Sequence, residues 1–331
     1  MKRYGRLWGL ICNRDNIEKA ADNALKNKKI TAEKQRFIDN RKELLDKLEY
    51  NLINENYKFS FLKYFTVYEP KERVIHHSPF YPDKIMHHAV MNICQKIFIE
   101  KFTSDAYGSI KGRGLVLANK KLQKAIRDFE FKYFVQIDIT KFYQSVDHNV
   151  CKSAIRRIIK CQSTLNMFDR MIDVHEEGLA IGVYPSSYIA NLVLSKIDHW
   201  VKEVKRVKYY FRYMDDMVIL VRDLKEAKQI LKDITIEINK LKLKVKNNVR
   251  IAPTTYGIDF IGYKFYPTHT LLRKRIKLKF KKITLKLFKH KNDDKYFKRK
   301  TASHYGWCKH ANCKNLLRKT LKDKYHLFNC K

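Results

Sequence analysis

The chain has 331 residues, 45% of them hydrophobic, and 70 Lys and Arg stand against 34 Asp and Glu for a net charge of +36. That is enough apolar material for one large domain or two to three subdomains, and the excess charge calls for a polyanionic partner, nucleic acid by default, whose counterions it would displace. No run of about 18 apolar residues exists, so no transmembrane helix is expected. The seven cysteines are odd in number and scattered without a CxxC spacing, which argues against a disulfide framework or a zinc ribbon.

At the N-terminus, the apolar stretch from Leu7 to Cys12 is too short for a signal sequence and ends at Asn13-Arg14-Asp15, so a cytosolic protein is expected. Residues 14–56 place Ile17, Ala20, Ala21, Ala24, Leu44, Leu45 and Leu48 at helical spacing among charges. Residues 58–76 alternate up to Glu69-Pro70-Lys71 and read as an extended hairpin arm. From Lys84 to Lys101 the apolar residues fall on one helical face. Phe134 to Ile139 is a buried strand containing an acid, Asp138. Residues 149–172 and 185–205 read as helices, the second beginning at Pro185-Ser186-Ser187. A hairpin around Tyr213 is followed by a helix at 224–241, a short strand pair around 243–251 and a tight hairpin at Gly257 to Tyr263. Beyond Leu271 the chain is rich in Lys and Arg on amphipathic helical stretches, read as a helical clamp on a nucleic-acid backbone.

The most informative stretch is Tyr213-Met214-Asp215-Asp216, set between the apolar runs Val207 to Phe211 and Met217 to Val221. A core-facing strand has no reason to carry two adjacent carboxylates, which repel one another unless cations sit beside them. Asp138, at the end of its own apolar strand, supplies a third acid if the two strands pair. Three carboxylates suit hard divalent cations such as Mg²⁺, and phosphoryl transfer to a 3′-hydroxyl uses two such ions about 3.5–4 Å apart. Asp138 and Asp215 are therefore assigned as bridging ligands and catalytic residues, with Asp216 supporting. Ile139 is counted with the metal set.

These motifs resemble reverse transcriptases. Tyr213-Met214-Asp215-Asp216 is similar to that family's catalytic box, and Gln136 to Tyr143 to its first catalytic motif. The resemblance, from about residue 60 to the end, implies an α+β right-hand polymerase of fingers, palm and thumb, with an antiparallel palm sheet packed on helices and a helical thumb. It implies an N-terminal helical extension at 1–57, fingers at 58–130, a palm at 131–266 with fingers elements interleaved at about 150–185, and a basic thumb at 267–331. It further implies that Tyr143 lies under the incoming sugar and selects dNTPs, that Lys71 and Arg73 grip the triphosphate, and that Ile181, Gly182 and Tyr213 belong to the nucleotide site. Phe260-Ile261-Gly262-Tyr263 resembles the primer grip, and Lys111-Gly112-Arg113-Gly114 is a basic glycine loop that could meet template or phosphate. The implied cofactors are two Mg²⁺, with Mn²⁺ able to substitute, and the implied partners are dNTPs, template RNA and cDNA.

Within the family, the segment after Tyr263 has room for a thumb but not for an RNase H or endonuclease domain, and no Val-Thr-Gly triplet follows the catalytic box as in retrons. Tyr68 to Ile75, Asp83 to Ala89, Gly178 to Gly182 and Tyr266 to Lys274 resemble diversity-generating retroelement (DGR) enzymes, which copy a template RNA with errors opposite adenine. Ile181 stands where most other reverse transcriptases have glutamine, and Ser187 departs from the family's Ser-Gln ending. The resemblance implies a bacterial or phage-encoded, cytoplasmic enzyme with a small basic accessory protein. An anti-phage defence reverse transcriptase working with a structured noncoding RNA is the alternative. A catalytically inactive RNA-binding fold and an RNA-dependent RNA polymerase are further ones. His304, Cys308, His310 and Cys313 have spacings that fit no common zinc finger. His76-His77 and His87-His88 are read as nucleic-acid or core contacts rather than ligands.

Overall fold

The helical spacing of residues 14–56 becomes three helices in the computed structural model, Arg14–Leu25, Ala32–Asp39 and Arg41–Ile53. The structure describes residues 3–68, 72–289 and 293–328, so Lys71 lies outside the described residues. The chain divides into two compact units, one made of Met1–Ile110, Ile139–Lys205 and Ile234–Val245, the other of Lys111–Asp138, Arg206–Asp233 and Lys246–Lys331.

In the first unit, Asn13 caps the helix Arg14–Leu25 by accepting the Asp15 N–H at 2.9 Å. Ile17, Ala20, Ala21 and Ala24 are buried on the face that meets the helix Ile85–Ile99. The buried Asn16 amide donates to the Ile11 and Ala89 carbonyls at 2.9 and 3.0 Å, so the polar group costs little inside the core. The arm is a two-stranded antiparallel ribbon of β1 (Lys63–Val67) and β2 (Arg73–His77), paired from Lys63↔His77 to Val67↔Arg73. The helix expected over 149–172 is instead two, His148–Arg156 and Gln162–Asp173. They part because the chain near its start competes for the backbone between them. Tyr4 donates to the Ile158 carbonyl and accepts from Lys160, both at 2.8 Å. Helix Ser186–His199 packs on His148–Arg156 and on Ile85–Ile99.

The second unit is built on an antiparallel sheet of β3 (Tyr133–Ile137), β4 (Tyr209–Tyr213), β5 (Asp216–Val221) and β6 (Arg250–Pro253), in the order β4-β5-β3-β6. Met217 to Val221 are all buried, which is why β5 reads as an unbroken apolar run rather than an alternation. A helix not foreseen in the sequence, Leu115–Ala125, packs against β4 with Ala118 and Leu122 buried. The strand pair expected around 243–251 does not form. Its second half is β6, which pairs with β3, because the exposed edge of β3 offers the longer ladder. A second sheet holds β7 (Ile258–Phe260), β8 (Tyr263–Phe265) and β9 (Thr270–Leu272). The first two form the expected hairpin, with Ile261 and Gly262 at φ 44° and 87°. A side chain at Gly262 would lie 2.5 Å from the Trp307 ring, so glycine is what lets the turn close on the helix Asp294–Cys308. The basic C-terminal region folds as expected into helices, Lys274–Lys289, Asp294–Cys308 and Lys314–Leu321, which pack on one another through Phe280, Leu287, Phe297 and Leu321. No described helix is long and apolar enough to cross a membrane. The architecture is α+β with antiparallel sheets, as expected.

Candidate active site

Strand pairing assembles the acidic site. Tyr213 pairs with Asp216 across β4 and β5, which leaves Met214 and Asp215 as a two-residue turn. Met214 takes a left-handed conformation, φ 56°, which is costly for a side chain with a Cβ. The fully buried Arg212 donates to the Met214 carbonyl at 3.0 Å and braces that turn. On the other side of β5, Ile137 of β3 pairs with Met217. Asp138 follows Ile137 and Asp216 precedes Met217, so continuing the antiparallel register sets the two acids opposite one another at the strand ends. Asp138, Asp215 and Asp216 thus come together in one compact unit from distant parts of the sequence.

Their electrostatics follow from half-burial among like charges. Burial pushes the Asp216 carboxyl up to about 7, the Gln136 amide pulls it partly back, and Asp138 and Asp215 push it up again. Asp215 is also raised, by burial first and then by Asp138. Gln136 divides its amide between Asp216 Oδ1 at 3.2 Å and the Asp259 carbonyl at 2.8 Å, joining the acids to β7. Arg273 in turn donates to Asp259 Oδ1 through Nε at 2.7 Å. Lys246 Nζ lies 2.5 Å from Asp138 Oδ2, while Asp138 Oδ1 is buried without a hydrogen-bond donor.

Arg73, Tyr143, Ile181 and Gly182, expected at the nucleotide site, belong to the other unit. Arg73 is exposed at the start of β2. Tyr143 is half-buried in the short helix Phe142–Ser145. Ile181 and Gly182 lie in the loop before Ser186–His199, where the Ile181 carbonyl accepts the His76 N–H at 2.7 Å. Tyr213 ends β4 in the unit of the acids. Ile139 is fully buried and bridges Val245.

The reverse transcriptase (RNA-dependent DNA polymerase) family profile matches residues 70–265, more than half of the chain. The chain belongs to the reverse transcriptase family. It therefore carries an RNA-directed DNA polymerase domain, a nucleotidyltransferase. A comparison with curated protein sequences finds no match. Among solved structures, telomerase from Candida albicans in complex with a TWJ fragment of telomeric RNA is similar in fold. Its TM-score is 0.51 at 12% identity over 83% of this chain and 57% of that one. Apo telomerase from Candida tropicalis matches 63% of this chain and 48% of that one at 11% identity, with a TM-score of 0.47. This reverse transcriptase thus spans about half the length of those telomerase chains.

Reverse transcriptase domains generally use divalent metal ions, and the donor set fits such ions in chemistry. Three hard carboxylates, among them Asp138 with one oxygen buried without a donor and an ammonium against the other, form a site that attracts positive charge. Among the described residues, however, no three His, Cys, Asp or Glu side chains close around one point. His304 stacks on Phe280 at 5.6 Å, and the Cys308 and Cys313 thiols are buried and hydrogen-bonded to each other, which raises Cys308 and lowers Cys313. Sequence reading missed Gln136 and Lys246. Gln136 sits two residues before Asp138 and so on its face of the strand, a period that could have found it. Lys246 is one of many lysines and gives no local signal.

Proposed function

We propose that the protein extends a primer 3′-hydroxyl with dNTPs on an RNA template, using two Mg²⁺ ions held by Asp138, Asp215 and Asp216. The observation that supports this reading is the β3–β5 register, which ends at Ile137↔Met217 with Asp138 just after the one and Asp216 just before the other, beside the Asp215 turn. When bound, the cations would supply the charge that activates the primer hydroxyl and neutralises the departing pyrophosphate. In this reading Arg73, with Lys71, grips the triphosphate and Tyr143 excludes a ribose 2′-hydroxyl. The β7–β8 turn at Gly262 meets the primer backbone, and the lysine-rich helices after Leu272 form a thumb over the template–primer duplex, whose shallow minor groove suits backbone contacts. Gln136 joins the primer-side hairpin to the acid Asp216, so primer placement and metal ligation share a hydrogen bond.

The biological role we infer is error-prone cDNA synthesis in a diversity-generating retroelement. Ile181, in place of an amide side chain, removes one hydrogen-bonding group from the loop that the reading sets near the nascent pair. The test is to sequence RNA and cDNA recovered with the tagged protein from a host carrying its full locus. cDNA of one RNA with changes clustered at template adenines supports diversification. Faithful, repetitive or untemplated DNA that rises on phage infection replaces that role with defence. No dNTP incorporation by the purified protein, with RNA binding retained, leaves an inactive RNA-binding fold.

A further inference from the structure

Two imidazoles join the arm to the loop that carries Ile181 and Gly182, and nothing in the proposed chemistry uses them. His76 is on β2, three residues after Arg73. Its Nε2 lies 3.1 Å from Nε2 of His175, the rings meeting edge to face at 82°. His175 Nδ1 is in hydrogen-bond contact with the Glu177 carbonyl. A carbonyl only accepts, so Nδ1 carries the proton and the neutral His175 ring presents a bare lone pair at Nε2. His76 must then donate from Nε2. Its Nδ1 is buried with no partner, so a second proton there would have no acceptor. Burial and the neighbouring His175 accordingly hold His76 below the ordinary histidine value.

The same segment is fastened at each turn. The His76 N–H donates to Ile181 O at 2.7 Å, and a side chain on Gly182 would come within 2.5 Å of the His76 carbonyl. The Leu179 N–H donates to Tyr143 O at 2.6 Å, and a side chain on Gly178 would come within 2.2 Å of that oxygen. His148 Nε2 lies 2.8 Å from Gly178 O. The loop 175–182 therefore meets the arm strand at both ends, through His175 and through Ile181 and Gly182, and the backbone of Tyr143 in its middle.

We infer that His76 and His175 form a one-proton latch that fixes the arm strand bearing Arg73 in register with the loop 175–182 and, through it, with Tyr143. The pair is a positioning device for the incoming nucleotide. This inference rests on the nucleotide-site reading of Arg73 and Tyr143. The latch needs one donor and one acceptor, so a side chain of similar length offering an oxygen at the Nε2 position can replace His175, while an isosteric ring without a lone pair cannot.

The test compares His175→Phe with His175→Gln in the full chain, by amide hydrogen exchange over residues 73–77 and by steady-state dNTP incorporation. The latch predicts exchange about tenfold faster over the arm in His175→Phe, the loss expected when one hydrogen bond disappears, and near wild-type exchange in His175→Gln. It predicts a matching rise of about tenfold in KM for dNTP with kcat changed less than about threefold. Unchanged exchange in His175→Phe, or equal acceleration in both variants, overturns the latch. Accelerated exchange with an unchanged KM overturns its link to nucleotide placement. A wild-type protein that incorporates no dNTP overturns the polymerase reading instead, and the exchange data still decide the latch.

Discussion

The acidic turn and the histidine-fastened loop are held in opposite ways. At the turn, Asp138, Asp215 and Asp216 gather groups that oppose each other's ionisation, and β3, β4 and β5 hold them there against that repulsion. At the loop, His76, His175, Gly178 and Gly182 use neutral hydrogen bonds and close backbone approach, with little charge. The first arrangement is poised to accept cations and is relieved by them. The second is held by its own hydrogen bonds, although His76 Nδ1 is buried without a partner. Acids that repel one another can be held together only if their supports are satisfied, and Arg212 and Gln136 provide that support.

Substitutions can separate the two. Asp215→Asn should lower dNTP incorporation by about 10³-fold or more in primer-extension assays, as expected for a group that acts only through the bound metal and the transition state. The same change should leave the metal-free melting temperature unchanged or raise it, because it removes one of the repelling acids. A lowered melting temperature would mean that the acids are structural. Gly178→Ala should destabilise the loop's unit by about 3 kcal/mol in urea unfolding, combining a left-handed backbone, φ 66°, with a clash against a carbonyl. Gly112→Ala shares the positive φ but meets nothing within 4 Å and should cost only about 1 kcal/mol. Equal losses would show that close approach is not what fixes Gly178.

A third measurement uses protons. Asp216 is raised from an ordinary 3.8 to about 7, so the folded, metal-free protein holds a proton that the unfolded chain releases. Its contribution to stability is fully present below about 4 and is lost as pH rises through about 7. Divalent ions bind the ionised carboxylate, so their apparent affinity should rise about tenfold from pH 6 to pH 8, read as the Mg²⁺ midpoint in thermal shift. His87 works in the other direction. Burial lowers it to about 3, so its neutral ring favours the folded state near pH 7 and that contribution fades as pH falls below about 6.5. Gln136→Leu should cost about 1–2 kcal/mol and weaken Mg²⁺ binding only modestly. A loss as large as that of Asp215→Asn would make Gln136 part of the metal site itself.

Much of this was legible in the sequence because strand-end acids and apolar strand runs are local signals. Asp215 and Asp216 between two apolar stretches predicted their hairpin, and the lysine-rich tail predicted amphipathic helices. What could not be read depends on partners far away in the chain. The helix break between Arg156 and Gln162 is set by Tyr4. β6 is claimed by β3 rather than by its own neighbour, and β9 exists because β8 offers it an edge. His175 looked unremarkable until β2 placed His76 against it.

If the acids hold metal as proposed, the Lys246–Asp138 ion pair would make their site an ion exchanger. A tethered ammonium stands against one carboxylate, so a divalent ion held there would replace a resident charge instead of filling a void. The lysine is also held by its backbone N–H, which donates to the Asp138 carbonyl at 2.9 Å, and so would stay beside the acid. The acids are thus neutralised in part by a charge that the chain itself supplies.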